Sequence, residues 1–205
     1  MSDRSVLERS LWLSDEMFRC VWLRKAYHLI AGSLLLTAII VLNANWLSAF
    51  CVFWILVFGA ISKRVSTAVL GVLLLSVLTG SRFTTLGAGM IFVVGDGMAA
   101  LVGIACGGRK WPWSDQKTIV GSLAFLVGAS FAMRGVLSIL VQETPSRLFL
   151  LSVLPSVIGC LAEAMPLALV RDIRDSKPDD NLLVILSSGA ALHWLTKCLQ
   201  VQGIQ

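Results

Sequence analysis

Asp96 stands between Gly95 and Gly97 in an otherwise apolar stretch. It opens the segment GDGMAALVGIACGGRKWPWSDQKTIVGSLAF (Gly95–Phe125), which contains a short basic loop, Lys117-Thr118 and Gly121-Ser122. An ionisable group inside a segment apolar enough for a bilayer is costly, and such groups mark function by default. Glycine and alanine let a neighbouring helix or a ligand approach the backbone closely. A carboxylate in that setting suits a divalent cation bridging phosphate oxygens. The plainer alternative is an aspartate satisfied by Arg134 or another helix for packing alone.

The loop Gly107–Lys117 supplies the opposite charge. Gly107 and Gly108 free backbone N–H groups, and Arg109, Lys110 and Lys117 neutralise phosphate. Lys117-Thr118 opens a helix whose N-terminus adds positive potential for an anion, with Gly121 and Ser122 in its first turn. The glycine spacing before Lys117 is not that of a Walker A loop. Trp111 and Trp113, around Pro112, suit stacking on a base or, more ordinarily, anchoring at a membrane interface.

Further along, Glu163 in CLAEAMP fits a second metal ligand, a general base, or a structural carboxylate near Pro166. Asp179, Asp180 and Asn181 would cap a helix in any protein. Arg24, Lys25 and His28 are spaced to share one helix face, either as a phosphate-receiving surface or as a plain basic anchor. His193 fits a core or interfacial histidine.

These residues must be positioned by membrane elements. The chain of 205 residues is 57% hydrophobic and 14% charged, with a mean hydropathy of +0.83, whereas a soluble domain carries about 25% charged residues. The expected fold is all-α: a polytopic integral membrane helix bundle. Residues 1–26 form an amphipathic or interfacial N-terminal segment, and residues 27–205 a transmembrane catalytic domain. Five scattered cysteines without a CxxC pair indicate neither a disulfide framework nor a cysteine metal site.

Apolar runs of spanning length predict about seven transmembrane helices: Tyr27–Leu42, Trp46–Ile61, Ser66–Gly80, Thr84–Ala105, Thr118–Val141, Arg147–Val170 and Asn181–Val201. Breaks fall at Asn43-Ala44-Asn45 and Ser62-Lys63-Arg64, among other places. Alternating sides gather most of the 17 basic residues with the N-terminus, leaving Arg82, Arg147 and Lys197 opposite and Arg134 within a span. The positive-inside rule then makes the N-terminus cytoplasmic. Asp96, the basic loop, Glu163 and Asp180-Asn181 fall on the cytoplasmic half, as a cleft facing the cytoplasm requires.

In chain order, RKAYHLIAG (Arg24–Gly32), GDGMAALVG (Gly95–Gly103), KTIVGSLAF (Lys117–Phe125), AEAMP (Ala162–Pro166) and DNLLV (Asp180–Val184) resemble motifs of the CTP-dependent polytopic lipid kinases. These comprise dolichol kinase, phytol and related prenol kinases, and CTP-dependent diacylglycerol kinase. The resemblance implies transfer of the γ-phosphoryl group of CTP to a lipid alcohol, with Mg²⁺ or another divalent cation. It implies Asp96, Glu163 and Lys117 as catalytic residues, with Asp96 and Glu163 toward the metal. Lys117 and the Gly121-Ser122 pair look like the family's nucleotide-phosphate segment, and Asp180-Asn181 like a downstream polar motif; the residues themselves add Gly107, Arg109, Lys110 and Thr118 toward phosphate, with Arg24, Lys25 and His28 supporting at the cytoplasmic mouth. Val120 and Gln116 depart from the family pattern, which has Glu and Lys there.

A weaker likeness is to phosphatidate cytidylyltransferases, whose long C-terminal signature is absent. The alternatives are therefore a cytidylyltransferase making a CDP-lipid, and a transporter or non-enzymatic membrane protein using Asp96, Glu163 and Arg134 as an ion relay. The expected partners are CTP, a lipid alcohol and membrane lipids, with no nucleic acid; the oligomeric state is left open. A bacterial inner membrane is the expected location, with endoplasmic reticulum or plastid membrane as alternatives.

Overall fold

Apart from one isolated bridge, the regular structure in the described residues is helical. The computed structural model describes residues 26, 29–58, 63–114, 117–165 and 181–201. Arg24, Lys25, His28, Asp179 and Asp180 lie outside them, as does the interfacial helix expected before residue 26. Seven helices occur among the described residues: α1 Leu29–Val41, α2 Ala44–Phe58, α3 Lys63–Thr79, α4 Arg82–Cys106, α5 Ile119–Leu140, α6 Pro145–Ala164 and α7 Asn181–Cys198.

Three of them, α4, α5 and α6, are long and apolar enough to cross a membrane. At 1.5 Å per residue, the 25 residues of α4 extend about 37 Å, beyond a hydrocarbon core of about 30 Å. Apolar stretches of α1, α2 and α3 are shorter.

Local chemistry sets the helix ends. Ser81, after Gly80 at φ 61°, is the N-cap of α4, its hydroxyl accepting from the Thr84 N–H at 3.2 Å. Gly107, at φ 61°, ends α4 and donates its N–H to Gly103 O. The sequence places a break at Asn43-Ala44-Asn45, but α2 already begins at Ala44. Asn43 is its cap, accepting from the Trp46 N–H at 3.0 Å. Likewise the break at Ser62-Lys63-Arg64 is shorter than expected, because α3 starts at Lys63. The sixth span, expected to reach Val170, ends at Ala164: Met165 is extended (ψ 135°), as a residue before proline prefers.

Helix α4 is the hub, packed on α3, α5, α6 and α7, with its largest contact on α5. Two stripes rich in small residues bring α4 close to α1 and to α5. Gly89, Val93 and Gly97 face α1: a Cβ on Gly97 would lie 2.9 Å from Leu29 Cδ2, and one on Gly32 would lie 2.7 Å from Val93 Cγ2. Gly95, Ala99 and Gly103 face α5, where a Cβ on Gly95 would meet the Phe125 ring at 2.6 Å.

The paired levels also fix direction. Gly103 meets Gly121, Gly95 meets Phe125 and Gly87 meets Met133, so α4 and α5 are antiparallel. Gly71 meets Ile185 and Gly189 meets Leu75, so α3 and α7 are parallel. Consequently α1, α3, α5 and α7 begin, and α4 and α6 finish, at one end of the bundle. At the other end the Arg82 guanidinium donates to Ile39 O (3.1 Å), Ile40 O (2.9 Å) and Leu42 O. It thereby satisfies carbonyls that the end of α1 leaves without helical partners.

Candidate active site

The end where α4 and α6 finish carries the segment 107–118. Its first residues turn through Gly107 and Gly108, at φ 61° and 105°, a backbone region that disfavours side chains with a Cβ. The chain then folds back on itself. Lys110 and Thr118 form an antiparallel bridge, the Trp111 N–H donates to Lys117 O and the Ile119 N–H to Arg109 O, both at 3.0 Å. Arg109 and Lys110 are thus held on a short two-stranded turn, and both are exposed.

Lys117 follows on the returning arm. Its ammonium lies 3.1 Å from Glu163 Oε1 and also donates to the backbone carbonyl of Glu163. Glu163, in the last turn of α6, is only 8% exposed. The ion pair therefore joins the entry of α5 to the exit of α6. A cation at the last carbonyls of a helix also meets the negative end of its dipole.

Two tryptophans secure the same junction. Their rings stack at 4.9 Å between centroids, 15° from parallel. Trp111 donates its indole N–H to Ser122 Oγ at 2.9 Å, and Trp113 donates to Ala164 O at 2.8 Å. Together the two rings form a latch between α5 and α6, while Trp113 stays exposed. One local signal was present: Pro112 favours a turn, and the Ser114 N–H closes it on Trp111 O at 3.1 Å. Cys160, whose thiol donates to Ser122 O at 3.2 Å, and Ser114, whose hydroxyl accepts from the Lys117 N–H at 3.2 Å, also belong to this junction. Neither stood out in the sequence.

Of the two glycine amides expected to face phosphate, that of Gly107 caps α4. The Gly121 N–H is held by the Thr118 hydroxyl at 3.0 Å, and the Ser122 N–H bonds Thr118 O at 3.0 Å. These three amides complete helix ends. Arg109, Lys110 and Lys117 add side-chain charge at the same end.

Asp96 is half-buried on α4, about 15 Å along the helix from Cys106. At 100° per residue it falls between the stripe facing α5 (Gly95, Ala99, Gly103) and the stripe facing α1 (Gly89, Val93, Gly97). Leu29, near the start of α1, packs on its neighbour Gly97. Asn181 is buried as the first residue of α7 at the same end. Arg134 points elsewhere. It donates to Pro145 O at 3.5 Å, toward the far end, and about 22 Å of α5 separates it from Ile119. An Asp96–Arg134 packing pair and a continuous Asp96–Glu163–Arg134 relay therefore do not form.

A magnesium ion that arrives with a nucleotide needs only one or two protein carboxylates, the phosphates supplying the rest. Asp96, flanked by glycines, fits that requirement. Glu163 is shared with Lys117. No group of three or more His, Cys, Asp or Glu side chains is placed to hold a metal among the described residues, so a closed multi-ligand cage is not what the donor set fits. No protein-family model, curated protein or solved structure matches the chain, and the functional reading rests on this geometry together with the resemblance of the motifs.

Proposed function

We propose that the chain is a polytopic membrane enzyme of seven spans, with its N-terminus and its site on the cytoplasmic face. It would transfer the γ-phosphoryl group of CTP to a lipid alcohol: a prenol, phytol, a polyprenol or dolichol, or diacylglycerol. The observation that carries this reading is the convergence at one end of the bundle. There an exposed Arg109-Lys110 turn, the Lys117–Glu163 pair and the entry of α5 meet, with Asp96 set further along α4 in a bed of small residues.

Phosphoryl transfer asks a protein mainly for positioning and for charge, with little covalent chemistry of its own. Arg109, Lys110 and Lys117 would neutralise the nucleotide phosphates, and Asp96 would hold a divalent cation, which would supply further positive charge for the transfer. The alcohol oxygen bonds to the γ-phosphorus and gives up its proton to water, the bond to the bridging oxygen breaks, and CDP leaves. The apolar helices keep the lipid tail beside the site while its hydroxyl reaches the polar end.

Two results test the assignment. Lys117→Ala removes one charge-assisted phosphate contact, worth about 2 kcal/mol, so KM for CTP should rise roughly thirtyfold with a smaller fall in kcat. An unchanged nucleotide dependence would remove Lys117 from the site. The leaving product separates this reading from cytidylyl transfer: CDP accompanies a phosphorylated alcohol, whereas pyrophosphate accompanies a CDP-lipid.

A further inference from the structure

We propose that Trp113 is a positioning residue for Lys117, acting through the C-terminus of α6; the inference rests on the phosphate-binding role given above to Lys117. Because Met165 turns away from the helix, the last carbonyls of α6 need donors from elsewhere. Two adjacent ones receive them from the 107–118 segment: Glu163 O from the Lys117 ammonium, and Ala164 O from the Trp113 indole. The indole thus fixes the peptide group next to the one that holds the cation.

On its other side Trp113 stacks on Trp111, which is bonded to Ser122 in the first turn of α5. The path α5–Trp111–Trp113–α6 sets the spacing between the entry of α5 and the exit of α6. Lys117 spans that same gap by a flexible four-carbon stem. Its ammonium waits where this spacing puts it, beside Glu163 Oε1 at 3.1 Å. An uncharged indole does not hold phosphate by ionic pairing; its contribution passes through the lysine. Preorganising such a side chain saves the ordering cost that binding would otherwise meet.

The test removes the N–H and keeps the ring. In the full-length chain purified in detergent, Trp113 is replaced by 3-benzothienylalanine, a bicycle of similar shape with sulfur in place of N–H, and separately by Trp113→Phe. Lys117 is then labelled with a limiting amine-reactive acetyl donor and quantified by mass spectrometry, and KM and kcat for CTP are measured in parallel. Both proteins should show Lys117 labelled about fivefold faster, with KM raised by about the same factor and kcat within roughly twofold. Wild-type labelling in both variants overturns the proposal, whatever the activity. Faster labelling in Trp113→Phe alone assigns the effect to ring packing and overturns the role of the N–H bond. If even the wild type phosphorylates no lipid alcohol, the functional reading fails while the labelling still decides whether Trp113 positions Lys117.

Discussion

Asp96→Asn is expected to lower kcat for phosphoryl transfer by about 10³-fold, the equivalent of the several kcal/mol that a correctly held divalent cation contributes to such a transition state. The substitution preserves side-chain volume and changes only charge and one hydrogen-bonding oxygen. Asp96 is half-buried between two packed stripes of α4, and with its volume preserved the variant should fold, insert and elute from size exclusion as the wild type does. A second signature follows from the same role: raising Mg²⁺ should restore little activity, since the missing element is the carboxylate that places the ion. Wild-type turnover in this variant would sink the metal-holding assignment.

A large structural effect is expected at Gly95, the neighbour of Asp96. A Cβ there would stand 2.6 Å from Phe125 Cζ and 2.8 Å from both Cε atoms, and Phe125 is fully buried. Such overpacking costs about 1–3 kcal/mol when a core yields a little and more when it does not. Gly95→Ala should therefore lower the thermal midpoint in detergent by several degrees, and Gly95→Val should abolish recovery of folded protein. Trimming the obstacle tests the cause. Gly95→Ala combined with Phe125→Leu should be less destabilised than the two separate losses predict, by about 1 kcal/mol or more of coupling. Strict additivity would mean that the α4–α5 contact at this level is looser than the geometry indicates.

The sequence revealed the helices best where their ends are written locally. Ser81, Gly107 and Thr118 are caps whose chemistry acts within four residues, and the boundaries of α4 and α5 were legible to within one or two positions. Asn43 was ambiguous, since the same residue type marks a break or caps a helix, and only the Trp46 N–H on its side chain decides between them. The end of α6 was written in Met165-Pro166, yet the apolar run beyond it obscured the signal.

The site was legible in its ingredients and less so in its wiring. Composition and spacing could gather Lys117 and Glu163 at one end, but not pair them across 46 positions of chain. Nor could they tie Trp113 to Ala164, 51 positions away. The amides of Gly107 and Gly108 looked available for phosphate because glycine makes them accessible. Helix ends compete for the same N–H groups, and the end of α4 took that of Gly107.

The measurement that bears most directly on the central claim is the fate of the γ-phosphate. The full chain, reconstituted in liposomes, is given CTP labelled at that position with Mg²⁺, and phytol, farnesol, a long polyprenol, diacylglycerol or phosphatidate in turn. Label is expected in the phosphate ester of at least one alcohol, with an equal amount of CDP and loss of the signal in Asp96→Asn. Label released as pyrophosphate with phosphatidate alone, or no turnover with any acceptor, would contradict the claim.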